Sequence, residues 1–212
     1  MTKMKATYIA ISLFLASVLL SVVTYSQLPD QLAVHWTNGE VTGTLPAVAA
    51  ITIMPAFMVI LFLVNQFLIR VMRKMTSVQA KVEQVICAVL PGLLFVCHGL
   101  IIFSGLDYSI NIEAIIGISL GVVMMIIGNI MPQVKRNAIF GARNRWTLQN
   151  DQVWAIVNRL AGKLFFACGL VIFIGAIIIP TYQMAVVLTS VLIIVIIIQR
   201  YSHVTYQRVT SN

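Results

Sequence analysis

Residues 112–131 read IEAIIGISLGVVMMIIGNIM, twenty positions with a single charged side chain, Glu113, at their start. A bilayer's hydrocarbon core is about 30 Å thick and is crossed by about 20 predominantly apolar residues in a helix. The stretch is therefore predicted to be a transmembrane helix, ended by Pro132. Within it Gly117 and Gly121 form a small-xxx-small pair, which lets a neighbouring helix approach closely.

On the N-terminal side a short turn around Asp107 leads back to an apolar run that begins after Lys81 and reaches about Ser104. Pro91-Gly92 predicts a bend in that run. Another run spans about Ala47 to Ile69 and stops at Arg70, Arg73 and Lys74. The first, from about Ala6 to Tyr25, follows Lys3 and Lys5 as a signal peptide would. Its apolar part is too long for one and no small-x-small cleavage pattern ends it, so it is expected to be retained. On the C-terminal side two further runs, roughly Gly162 to Pro180 and Tyr182 to Gln199, are joined by a tight turn and followed by a polar tail.

Six runs predict an all-α, polytopic integral membrane protein. Of the 212 residues 60% are hydrophobic and 9% charged, against roughly 25% charged in ordinary soluble domains. Such a chain is not a soluble enzyme, a disordered segment or a nucleic-acid binder with a basic soluble surface. The net charge of +8 reports orientation instead: with six spans all 14 Lys and Arg, from Lys3 to Arg208, fall on one face. Asp30, Glu40, Asp107 and Glu113 lie on the other. Basic residues in short loops stay in the cytoplasm, so both termini are expected there, in a multi-pass protein of the cell membrane. The expected units are residues 1–80, two helices with an outer loop over 27–46, and residues 81–212, four helices with a cytoplasmic segment over 133–161.

The outer loop contains His35-Trp36 followed by Asn38-Gly39. Two readings are open: an interfacial aromatic anchor with a turn, since Trp favours the membrane–water boundary, or a recognition surface in which His35 responds to pH near neutrality. In the inner segment Gly141 permits a backbone conformation that other residues avoid, and Thr147, Asn150 or Asp151 suits a helix cap. Val153, Ile156, Val157 and Leu160 then recur at helical spacing. A short amphipathic helix on the inner membrane surface, leading into helix five, is predicted. Arg143 and Arg145 suit lipid phosphate or a partner's carboxylates, or are simply held near anionic lipid.

Little in the chain promises catalysis. His98, the one ionisable side chain besides cysteine well within a span, is a functional candidate by position or a neutral histidine bonded to a neighbouring helix. His35, His98 and His203 fall outside, within and inside the membrane, so no shared metal site is expected. Cys87, Cys97 and Cys168 all sit in apolar runs and imply no disulfide framework. No HExxH, GxSxG or phosphate-cradling loop occurs, and no carboxylate lies deep in a span. Neither an enzyme nor a cofactor is expected.

The inner segment, with Asn137, Gly141, Arg143, Trp146, Thr147 and Leu148, then Asp151, Val153 and Trp154, resembles the signature of the SdpI family of bacterial immunity proteins. Asn144-Arg145 stands where the family has Thr-Pro. Asn158-Arg159-Leu160-Ala161-Gly162-Lys163 is also similar. Leu28-Pro29 with His35, Trp36 and Gly39 is similar to an uncharacterised domain that begins many such proteins, although Ala33 replaces its usual proline. The resemblance implies six helices and protection from a secreted peptide toxin. It further implies a receptor that holds a small cytoplasmic winged-helix repressor at the membrane, with no direct contact to nucleic acid. On that basis His35, Trp36, Asn38 and Gly39 are expected to sense toxin. Asn137, Gly141, Arg143, Arg145, Trp146, Thr147, Leu148, Asp151 and Trp154 are expected to meet the partner, and Gly117 and Gly121 to pack helices. The alternative class is a small transporter or exporter of a peptide or lipid.

Overall fold

The computed structural model describes residues 2–37, 39–75, 80–137 and 140–211. Six helices carry the chain: α1 (Thr2–Thr24), α2 (Ala47–Met75), α3 (Ala80–Gly105), α4 (Ile112–Ile130), α5 (Asp151–Ile178) and α6 (Gln183–Thr210). Each contains a stretch long and apolar enough to cross a membrane. Most large apolar side chains on α1, α2 and α6 face outward, as lipid-facing helices require. Caps mark the starts of two helices. Asn111 Oδ1 accepts from Ala114 N at 2.9 Å to begin α4, and Asn150 Oδ1 accepts from Gln152 N at 2.8 Å and Val153 N at 3.2 Å to begin α5, each satisfying N–H groups that have no partner within the helix.

α1, α2 and α3 meet around a buried polar cluster. His98 on α3 is wholly buried. Its Nε2 lies 3.1 Å from the Ser17 carbonyl and 3.0 Å from Ser21 Oγ, both on α1. A carbonyl only accepts, so Nε2 carries the proton here. Ser21 Oγ also lies 3.4 Å from the Ile51 carbonyl of α2. The intramembrane histidine is thus hydrogen-bonded to a neighbouring helix and joins three helices at one level.

α4 and α5 pack backbone against backbone. A Cβ on Gly121 would lie 2.7 Å from the Gly169 carbonyl oxygen, and one on Gly169 would lie 2.6 Å from that of Gly121. Gly128 and Gly162 repeat the arrangement at 2.6 Å in both directions. Only glycine fits at these four positions. At the far end of the seam a Cβ on Gly117 would lie 2.7 Å from Ala176 Cβ and 2.5 Å from the Gln183 carboxamide. Gln183, at the start of α6, fills that space and donates from Nε2 to the Ile172 carbonyl at 3.2 Å.

Two sequence expectations are corrected. The helical six-span class holds, but residues 27–46 are not simply a loop: β1 (Gln31–Thr37) and β2 (Glu40–Pro46) form an antiparallel hairpin there. Leu32, Val34 and Trp36 alternate onto one face and pack with Ala50, Ile51, Ile101 and Ile102 at the ends of α2 and α3. Burying that face holds the strands flat against the helices. Leu32 is fully buried and occupies the space a side chain at Gly105 would need. Secondly, no separate interfacial helix precedes helix five, because Asp151–Ile178 is one continuous helix. Its Val153, Val157 and Ala161 stripe is buried under Met131 and Ala142, with Phe140, Tyr206 and Val209 around it, rather than laid on lipid.

Gly121→Val should therefore lower the stability of the purified protein by about 1–3 kcal/mol, the usual cost of overpacking, read from unfolding in mixed micelles. Gly92→Ala, inside α3 with nothing within 4 Å of the added Cβ, should leave the transition no lower and raise it by up to about 1 kcal/mol, since Ala suits a helix interior better than Gly. Equal transitions for the two variants would contradict the close α4–α5 contact.

Candidate functional site: two motif segments at opposite ends of the bundle

The described residues of 133–150 contain little regular structure, and side chains rather than a ladder fold them into a cap. Asn137 Oδ1 accepts from Phe140 N at 2.8 Å, while its Nδ2 donates to the carbonyls of Lys135 at 2.9 Å and Phe140 at 3.1 Å. Asn144 Oδ1 accepts from Trp146 N at 3.1 Å and Thr147 N at 3.0 Å, the self-closing turn an Asn favours. That side chain fixes the turn at Asn144-Arg145. Thr147, fully buried, donates to the Ala142 carbonyl at 2.9 Å and accepts from Asn144 N at 2.9 Å.

The cap is seated on the first two turns of α5. Trp154 Nε1 donates to the Val134 carbonyl at 2.7 Å. Asn158 Oδ1 accepts from Ala142 N at 2.7 Å, and its Nδ2 donates to the Trp154 carbonyl at 3.1 Å. Gly141, at φ +123°, passes over these two side chains: a Cβ there would lie 2.7 Å from Asn158 Oδ1 and 2.8 Å from the Trp154 ring. Both the dihedral and the space require glycine. Arg136 Nε reaches Asp151 Oδ1 at 2.6 Å, and its guanidinium also donates to the Leu148 carbonyl. Asp151 is well exposed and Arg136 partly so, so this pair adds little stability by itself.

α6 completes the site from the other side. Asn144 Nδ2 donates to Gln199 Oε1 at 2.8 Å. The Trp146 ring lies 4.9 Å from that of His203, and the Arg145 guanidinium is 4.6 Å from the Trp146 ring centroid, within range of a cation–π attraction. The expected residues thus separate by role. Thr147 and Trp154 are buried and Gly141 underlies the cap, so these three build it. Asn137 closes a turn and Asp151 holds Arg136. Arg143, Arg145 and Leu148 are exposed with Trp146 half-buried among them, and these four form the surface. Asn144, Asn158, Gln199 and His203 are further members. In the sequence Asn158 stands only within the second stretch similar to the family, with no role given to it.

In the hairpin His35 and Trp36 face opposite ways. Trp36 packs toward the helices. His35 is exposed, with Nδ1 2.6 Å from Thr42 Oγ1, which in turn lies 3.2 Å from Thr37 Oγ1. The strands pair Ala33 with Thr44, His35 with Gly43 and Trp36 with Val41, so each strand carries one extra residue, Val34 and Thr42. A Cβ on Gly43 would sit 3.2 Å from His35 Cβ. Gly39 turns the hairpin at φ +79°, while Asn38 lies outside the described residues. Among the described residues no cluster of His, Cys, Asp or Glu suits a metal ion.

A six-helix membrane protein with a cap at one end of its bundle and a hairpin at the other is the class this geometry defines, and residues 133–202, which hold the cap, α5 and most of α6, match the SdpI/YfhL protein family. Residues 12–59, which hold the hairpin, match a domain of unknown function, DUF1648. Over 211 residues, 99% of this chain and 100% of the relative, the sequence is 26% identical to "Immunity protein SdpI" of Bacillus subtilis (strain 168). The chain is thus similar to an SdpI immunity protein along nearly its whole length, and with its six apolar helices it is a multi-pass protein of the cell membrane. No solved structure matches.

Asn158→Ala should loosen the cap, since it leaves the buried Ala142 N–H without its acceptor at a cost of about 1–3 kcal/mol. The expected outcome is faster tryptic cleavage at Arg143 and Arg145 in inside-out vesicles, with α1–α3 fragments unaffected. Cleavage at the wild-type rate would mean that Asn158 does not hold the cap.

Proposed function

We propose that this protein is a membrane immunity protein that protects its cell from a secreted peptide toxin and reports the toxin to the cytoplasm by holding a small winged-helix repressor at the membrane. The observation that carries this reading is that both motif segments are built as presenting structures at opposite ends of one bundle. The hairpin displays His35, Thr37 and Thr42 on the side bearing only acidic residues. The cap displays Arg143, Arg145, Trp146 and Leu148 on the side bearing all the Lys and Arg. Basic residues favour the cytoplasm, which puts the hairpin outside with the toxin and the cap, with both termini, inside with the repressor.

A ligand shifts a conformational equilibrium only by its differential affinity for the two states. Packing offers a continuous route for such a shift. Leu32 of the hairpin fills the place beside Gly105 at the end of α3; the turn at Asp107 leads into α4; the glycine seam couples α4 to α5; and the first turns of α5 carry the cap. Residues 1–80 would then hold the sensing hairpin and residues 81–212 the reporting part.

Survival of a toxin-sensitive Gram-positive strain over a dilution series of a sporulation-delaying type peptide tests the reading. The protein should raise survival. At equal membrane levels His35→Ala should abolish protection, while Arg145→Ala should keep protection and lose recruitment of a fluorescent repressor. Wild-type behaviour of both variants would contradict the roles given to the two ends. A fall in cell-associated toxin that depends on an energy source would indicate an exporter instead.

A further inference from the structure

We propose that the free edge of β2 is a strand-addition site for an extended, cationic segment of a peptide ligand, an inference that rests on the hairpin's being the toxin-facing surface. The hairpin is fixed from the β1 side: Leu32, Val34 and Trp36 all pack on the helix ends, and from β2 only Leu45 joins them. β2 is otherwise exposed, including Val41 at 54%. No backbone hydrogen bond links β2 to any element except β1 among the described residues. An edge of this kind is a template for another strand, and proteins ordinarily block it with Lys or Pro. Glu40 to Leu45, EVTGTL, contains neither, Pro46 stands only at the strand's last position, and the bulge at Thr42 leaves Glu40 and Val41 as the regular stretch of edge, where Val favours extended backbone. Such edges take up peptides by main-chain bonding, with alternate side chains supplying selectivity.

Charge specifies the occupant. Asp30, Glu40 and Asp107 are exposed and Glu113 half-exposed at this end of the molecule, and none of the four takes part in an ion pair among the described residues. Every Lys and Arg belongs to the opposite end. A cationic strand entering beside Glu40 meets attraction and no repulsion, and it brings the main-chain groups that β2 lacks.

Register indicates where to intervene. In a two-residue hairpin the closing pair, here Thr37–Glu40, exchanges both ladder bonds, and the next pair, Trp36–Val41, exchanges none. Val41 therefore turns its N–H and C=O away from β1, toward an incoming strand. Val41→Pro removes that donor while sparing the ladder within the hairpin, and Pro is tolerated at edge positions of this kind.

The test uses the full chain in phosphatidylcholine nanodiscs and, as probe, the sporulation-delaying type peptide of the survival assay with 13C=O labels in its backbone. Wild type should bind, and the bound label should absorb in the infrared as extended strand. Val41→Pro should weaken binding about tenfold and Val41→Thr less than about twofold, with Trp36 fluorescence unchanged in both as evidence that the hairpin stays docked. Glu40→Lys should weaken binding and reduce its dependence on salt. Full binding by Val41→Pro, or a helical signal from the bound label, overturns strand addition and leaves the toxin-facing hairpin standing. Binding unaffected by Glu40→Lys overturns the cationic occupant. Failure of wild type to bind at all overturns the toxin-facing reading and this inference with it.

Discussion

The close approach of α4 and α5 at Gly121–Gly169 and Gly128–Gly162 is the contact on which the rest of the C-terminal half depends. In a bilayer the apolar surface of a helix gains nothing by leaving lipid for another helix, so association rests on packing and hydrogen bonds. Glycine lets the two backbones come near enough for dispersion to act along several turns. Each carbonyl of the seam sits where a partner's Cβ would otherwise stand. Once α5 is fixed in this way, its first turns, packed against the end of α6, carry Trp154 and Asn158 to the places where they receive the cap. At the other end of the seam the space beside Gly117 receives Gln183, which sets the direction of α6.

The N-terminal half is held differently. There the helices meet through polar groups, with His98 bonded to Ser17 and Ser21 and Ser21 within reach of Ile51. Buried hydrogen bonds of this kind are directional and fix the rotation of each helix as well as its contact. One turn above, Ile101 and Ile102 form the floor on which Leu32 and Trp36 rest. The hairpin thus stands on a base whose geometry is specified by hydrogen bonds, with His35 and Thr42 exposed on the face turned away from the helices.

The six helices were legible because hydrocarbon imposes one requirement, length of apolar run, that any sequence reports directly. The small-xxx-small spacing of Gly117 and Gly121 pointed to packing but not to its partners, Ala176 and Gly169, since a partner is settled only by tertiary structure. The alternation of Leu32, Val34 and Trp36 before Asn38-Gly39 is a hairpin signal. Seven residues in a polar stretch carry little weight on their own, so the sequence leaves an aromatic anchor with a turn and a recognition surface both open and does not announce paired strands. The stripe from Val153 to Leu160 has helical period, but periodicity does not tell whether an apolar face meets lipid or a folded loop. Here it meets the cap and the end of α6. The family signature marked the cap, while the division between residues that build it, such as Thr147 and Trp154, and residues that face outward, such as Arg145, is set by burial.

The account rests on the hairpin and the cap lying on opposite sides of the membrane, and labelling with a membrane-impermeant thiol reagent tests that most directly. Thr44→Cys on β2 and Gln149→Cys on the cap both replace exposed side chains, and each is made with the three native cysteines, Cys87, Cys97 and Cys168, changed to Ser so that it carries a single thiol. Labelling of the Thr44→Cys protein in intact cells, with the Gln149→Cys protein labelled only after permeabilisation, is the predicted result. The reverse pattern, or labelling of both in intact cells, would contradict the two-sided arrangement and with it the proposed passage of a signal from hairpin to cap.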